Sequence, residues 1–161
     1  MPVRIYHHPS DTVESSLTEL QHILETVPLQ LKAFSDQEFS TPPAPGKWSK
    51  KQIIGHLIDS AANNHQRFVR AQFEDHPAIS YDQERWNVAG HYEEMNGYAV
   101  IDFWAAYNHF ILQLISKIPP TLMERTCRMS DGSLWTISTL FVDYVAHLKH
   151  HLLQIEELRI K

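Results

Sequence analysis

Three histidines in this sequence, His56, His147 and His151, sit at spacings that would let their imidazoles meet. His147 and His151 are four residues apart, which on a helix stacks them on one face. The apolar stripe of that segment is Ile137, Phe141, Tyr144, Leu148, Leu152 and Ile155. With Leu148 as origin and about 100° per residue, His151 falls about 60° round and His147 about 100° to the same side. Both border the buried face, whereas His150, about 160° round, shares the solvent side with Asp143 and Glu157. An isolated HxxxH pair is common on solvated helix ends, so a third donor decides whether the pair matters.

His56 supplies that donor. It lies on a second helical segment whose core face is Ile53, Ile54, Leu57, Ala61 and Phe68. With Ser60, Asn63 and Arg67 it forms a polar strip along the edge of that face. Polar groups bordering a core need partners, either across a seam between helices or in a ligand. Three neutral imidazoles from two helices make an open ligand set for one divalent metal, with positions left for water or substrate. Such an ion brings the pKa of bound water towards about 7, or binds an external thiol as thiolate. In the thiol reaction Arg67 or Asn63 would orient the acceptor, Arg67 as a fixed cation for an anionic cosubstrate. His65 falls on the opposite flank, and Asp59, about 200° round from Leu57 and away from the strip, reads as a surface or inter-subunit residue. Glu84 and Asp82 are carboxylates that could act as a general base, although no spacing places them near the histidines.

Four segments carry the helical periodicity needed to position these groups. The first runs from about Asp11 to Phe34 and contains Pro28, which should kink or divide it. A stiff Ser40–Gly46 loop follows. The second opens at Ser49, in a capping box with Gln52, and continues to about Phe73. The third covers about Val100 to Ile118 and stops at Pro119-Pro120, and the fourth about Thr136 to Arg159. No strand shows sustained alternation. The whole chain, 1–161, reads as one all-α domain, a four-helix bundle with a long crossover between the second and third helices. That crossover, about Glu74 to Gly97, holds a short helical stretch at Tyr81–Ala89, and Tyr81, Trp86 and Asn87 suit a pocket wall or a cover for the bundle.

Composition narrows the partners. Acidic residues exceed Lys and Arg by 19 to 14, and the basic ones are scattered, so nucleic acid is not an expected partner. No apolar run approaches a membrane span or a signal peptide, so no membrane association is expected and the location is read as cytoplasmic. The single cysteine, Cys127, excludes an intramolecular disulfide and reads as a core residue. Phe103, Trp104 and Tyr107 give the third helix more apolar positions than one stripe can bury, which points to a homodimer.

Two stretches carry a family resemblance. Trp48-Ser-Lys-Lys-Gln-Ile-Ile-Gly-His56-Leu-Ile-Asp59, continuing to Asn63 and Arg67-Phe, resembles the second helix of the DinB/YfiT-like superfamily. Tyr144-Val-Ala-His147-Leu-Lys-His150-His151-Leu-Leu-Gln154 resembles that family's terminal HxxHH helix. The resemblance implies an up-up-down-down type of four-helix bundle, frequent dimers and a divalent ion, nickel or zinc, on His56, His147 and His151. It also implies two kinds of chemistry on a small-molecule substrate, transfer or isomerisation with a bacillithiol- or mycothiol-like cosubstrate and metal-dependent hydrolysis. A non-catalytic bundle with a structural or vestigial histidine site is the alternative, and a closed structural site would call for a fourth ligand.

Overall fold

The computed structural model describes residues 3–155 and 157–160, and these build the four-helix bundle. The long helices are α1 (Val13–Lys32), α3 (Lys50–Arg70), α5 (Gly97–Lys117) and α7 (Ile137–Leu152). Between them lie the short helices α2 (Asp36–Ser40), α4 (Gln83–Ala89) and α6 (Pro120–Met123) and a hairpin of β1 (Thr126–Arg128) and β2 (Leu134–Thr136). Helix starts follow from capping chemistry. Thr12, Ser35 and Ser49 each accept from the N3 backbone while the N3 side chain returns the bond, and Thr136 caps α7. No described helix is long and apolar enough to cross a membrane.

Helix α3 packs against α5 and α7, and α1 against the same two, so α1 and α3 stand at opposite corners. The direction of each helix can be read from its end contacts. Lys32, ending α1, pairs with Asp102 near the start of α5, and buried Lys51, starting α3, donates to the Met95 and Glu93 carbonyls just before α5. Gln30, late in α1, bonds the Arg159 backbone beyond the end of α7, and Lys50, starting α3, pairs with Glu157 just beyond α7. The order is therefore up-down-down-up, not the up-up-down-down expected from family resemblance. Neighbouring α3 and α5 run parallel, so the chain must return the length of a 21-residue helix, about 30 Å, between them. That return is why the crossover is long.

The crossover is pinned to α3 along its course. Arg67 holds the Ile79 carbonyl, the Asn87 amide donates to the Gln52 carbonyl, and the Tyr92 hydroxyl donates to Asp59 at 2.5 Å. Asp59 is thus buried beneath the crossover rather than on a surface. Burial pushes its carboxyl up to about 6, against the lowering effect of the Tyr92 hydroxyl. The folded state therefore holds this proton more tightly than the unfolded chain, whose carboxyl titrates near 3.8. The stability this gives is complete below about pH 4 and is lost as pH rises through about 6. Compared with Asp59→Asn, the wild-type Tm should fall between pH 4.5 and 7; parallel Tm–pH curves for the two proteins would exclude this.

Several sequence expectations change. Helix α1 runs through Pro28 undivided, with Val27 and Leu31 on either side buried in the core. Helix α7 ends at Leu152 rather than near Arg159, yet Ile155 and Leu158 continue the buried stripe from a turn. The hairpin, with Cys127 opposite Trp135 around a turn at Gly132 (φ +87°), supplies strands where none was expected. Trp104 is fully buried, so the exposed aromatic surface of α5 is carried by Tyr98, Phe103 and Phe110, with Tyr107 half-buried beside Phe103.

Candidate metal centre

His56, from the first turns of α3, meets His147 and His151, from the last turns of α7, because those helices are neighbours that run in opposite directions. One nitrogen from each ring lies within 4.8 Å of the others. His56 Nε2 and His147 Nε2 are 3.2 Å apart. Two ligands at 2.0–2.1 Å in a tetrahedral set stand about 3.3–3.4 Å apart, so this pair already has the spacing of a shared ion. The outer nitrogens are partly tied. His151 Nδ1 faces Gln154 Oε1 at 2.9 Å, and His147 Nδ1 faces Ser60 Oγ at 3.5 Å. Donation through Nδ1 leaves Nε2 as the lone-pair nitrogen of both rings. His56 Nδ1 and His151 Nε2 are buried with no partner among the described residues. A cation at the centre would use the inward one.

Electrostatics agree with that chemistry. Burial, with His151 nearby, lowers the His56 pKa to about 3. Burial, with His151 and His56 nearby, lowers His147 to about 2. Burial also lowers His151, against the raising effect of Gln154. At neutral pH all three rings are therefore neutral donors, with no proton to displace. Aromatic rings close the surroundings. Trp48 lies 5.1 Å from the His56 ring, and Tyr6 meets the edge of His147 at 4.8 Å.

Two clefts flank the centre. One, of about 470 Å³, exposes His147 together with Ser60, Asn64, Arg67, Tyr81 and Tyr144. The other, of about 550 Å³, exposes His151 with Trp48, Glu84 and Gln154, and Gln83 of α4 borders both. The residues of the polar strip separate at this point. Arg67 lines the first cleft, but Asn63 does not: its amide turns back to the Asp59 carbonyl at 2.9 Å, and Asn64 takes the cleft position. The helical angle explains this, since Asn64 lies about 40° from Ser60 and Asn63 about 60° the other way. Glu84 reaches the second cleft, whereas Asp82 caps α4 by accepting from the Glu84 and Arg85 backbone. Cys127 is buried with its thiol pKa raised, chiefly by burial, and it lies in neither cleft.

Some of the surroundings escape sequence reasoning. Asp143 is not solvated: it accepts from the Tyr6 and His7 backbone at 2.7 and 3.1 Å and faces the His7 ring at 2.8 Å. This anchors the N-terminal segment across α7 and brings Tyr6 to the centre. No spacing rule links residues so far apart. Gln154 was detectable in principle, because it follows His151 by one helical turn.

The chain is similar to proteins named "Putative metal-dependent hydrolase". The one from Halalkalibacterium halodurans is 24% identical over 165 residues, covering 99% of this chain and 96% of its own. The one from Oceanobacillus iheyensis is 26% identical over 162 residues, covering 98% and 94%. Among solved structures, YfiT from Bacillus subtilis, titled a probable metal-dependent hydrolase with an unusual four-helix bundle topology, superposes with a TM-score of 0.78 at 24% identity, over 93% of this chain and 89% of its own. A mycothiol-dependent maleylpyruvate isomerase shares the fold at a TM-score of 0.68 and 17% identity, over 86% of this chain and 59% of its own. The DinB superfamily sequence profile spans residues 11–155, and the chain belongs to that family.

Proposed function

We propose that this protein is a metal-dependent hydrolase of small esters or amides, with one divalent ion held by His56, His147 and His151. Nickel and zinc both suit three imidazoles. The observation that carries this reading is the convergence of three neutral rings beside open clefts, with no fourth histidine, cysteine or carboxylate in the cluster among the described residues. A bound ion would polarise a carbonyl and bring the pKa of water towards about 7. The chain's own residues supply the rest. Gln154 and Ser60 orient two of the rings, Trp48 and Tyr6 limit solvent, and Glu84 is a carboxylate at the second cleft able to take up a proton. The names of the relatives support hydrolysis. Metal-loaded protein should hydrolyse activated esters faster as pH rises from 6 to 8, lose that activity to a chelator and regain it with zinc or nickel. Hydrolysis unchanged by chelation would overturn the proposal.

Two clefts reaching two different histidines favour a second reading, transfer involving a bacillithiol-like thiol. In that reaction the conjugate forms only when thiol is added, so one preparation assayed both ways separates the mechanisms. Full metal loading with silence in both assays would favour the non-catalytic alternative. The Phe103, Tyr107 and Phe110 face of α5 supports pairing of two copies, which a light-scattering mass of one chain at micromolar concentration would refute.

A further inference from the structure

The cleft beside His147 holds a positive charge with only neutral partners. Arg67 donates from Nε and Nη2 to the Ile79 carbonyl at 3.2 and 2.6 Å, and from Nη1 to Asn64 Oδ1 at 3.2 Å. A guanidinium has five N–H groups, so two lack an acceptor among the described residues. Asp143 lines the same cleft, but the Tyr6 and His7 N–H groups and the His7 ring already engage it. Arg4 adds a second, exposed cation to the lining. Burial lowers the Arg67 pKa, the sign of a charge held partly away from water. The Ile79 carbonyl and Asn64 fix the plane of the guanidinium, which favours a planar, bidentate anion over a diffuse one.

Position ties the anchor to the histidines. The guanidinium hooks back to Asn64, one turn along α3 from Ser60, and Ser60 Oγ is 3.5 Å from His147 Nδ1. Arg67 and His147 line the same cleft, so one small ligand can hold an anion on the guanidinium and present a second group to the histidines.

We propose that Arg67 anchors a carboxylate of the substrate, so that the protein acts on small carboxylate-bearing acyl compounds. This rests on the three-histidine centre being the place of reaction. Binding and turnover can nevertheless be tested separately. Titration calorimetry of metal-free protein with adipamate, which carries a carboxylate and an amide at opposite ends, should show at least tenfold tighter binding than neutral adipamide, the effect expected of charge-assisted hydrogen bonds. Arg67→Gln should abolish the preference and Arg67→Lys should keep part of it, while Arg4→Gln should leave it in place. With metal, mono-4-nitrophenyl adipate should exceed its neutral methyl ester at least tenfold in kcat/KM. Equal binding of adipamate and adipamide to wild type overturns the inference even if Arg67→Gln does not fold, and so does a preference that vanishes with Arg4→Gln. Hydrolysis of both esters at equal rates leaves the hydrolase reading standing without the carboxylate anchor. A carboxylate preference in binding with no hydrolysis of either ester keeps the anchor and rejects the hydrolase.

Discussion

Replacing His147 by Ala should reduce bound divalent metal from about one ion per chain to less than about a tenth of that, while His150→Ala keeps it near the wild-type level. The two residues lie three positions apart on α7, so the contrast tests geometry rather than histidine content. His147 Nε2 stands 3.2 Å from His56 Nε2, whereas His150 lies outside the cluster and stacks beside Tyr6 at 5.2 Å. The same loss is expected for His56→Ala and His151→Ala. Gln154→Ala should lower affinity by a smaller factor, about 10 to 100, because it orients a ligand without being one. Stability gives a second readout. A ligand present at a hundred times its Kd stabilises the folded state by about 2.7 kcal/mol, so chelation should lower the wild-type Tm and leave that of His147→Ala unchanged. Equal metal content in wild type and His147→Ala would sink the assignment.

The three histidines were legible in the sequence because helical periodicity is a local rule and each of them borders a long apolar stripe. The meeting of α3 with α7 is not local, and only the pairing of two motifs hinted at it. The fourth helix's stop at Leu152 left no mark, since Ile155 and Leu158 keep the apolar period beyond it. The hairpin escaped because three-residue strands are too short to show alternation. Asn63 and Asn64 illustrate the resolution of angular reasoning. Both amides bond back to the carbonyl four residues earlier, and a rotation of one residue decides that Asn64, not Asn63, lines the cleft. Asp59 shows what a single-helix projection omits. Its face looks outward on an isolated bundle and becomes interior once the crossover lies on it.

That crossover makes the sign of one substitution depend on another. Gly55 precedes His56 inside α3, where glycine ordinarily costs about 0.5–1 kcal/mol relative to Ala. Here a Cβ would lie 2.3–2.7 Å from atoms of the Tyr92 ring, including Cγ near its root. A Cβ at Gly90 would likewise lie 2.5 Å from the Cε2 of the same ring. Tyr92 thus packs closely on two glycines, with its hydroxyl bonded to Asp59. Gly55→Ala must displace the ring, break that bond and lift the crossover from α3, and it should cost about 2–4 kcal/mol of stability, the upper range for overpacking combined with a lost buried hydrogen bond. In a Tyr92→Ala background the obstacle is gone and only helix propensity remains. There Gly55→Ala should be neutral or stabilising by up to about 1 kcal/mol, so a double-mutant cycle in urea should give a coupling of about 2 kcal/mol or more. Additive costs for the two substitutions would mean that the crossover does not rest on α3 at Gly55. In that event the burial of Asp59, and the length of chain that lets α5 run parallel to α3, would need a different physical cause.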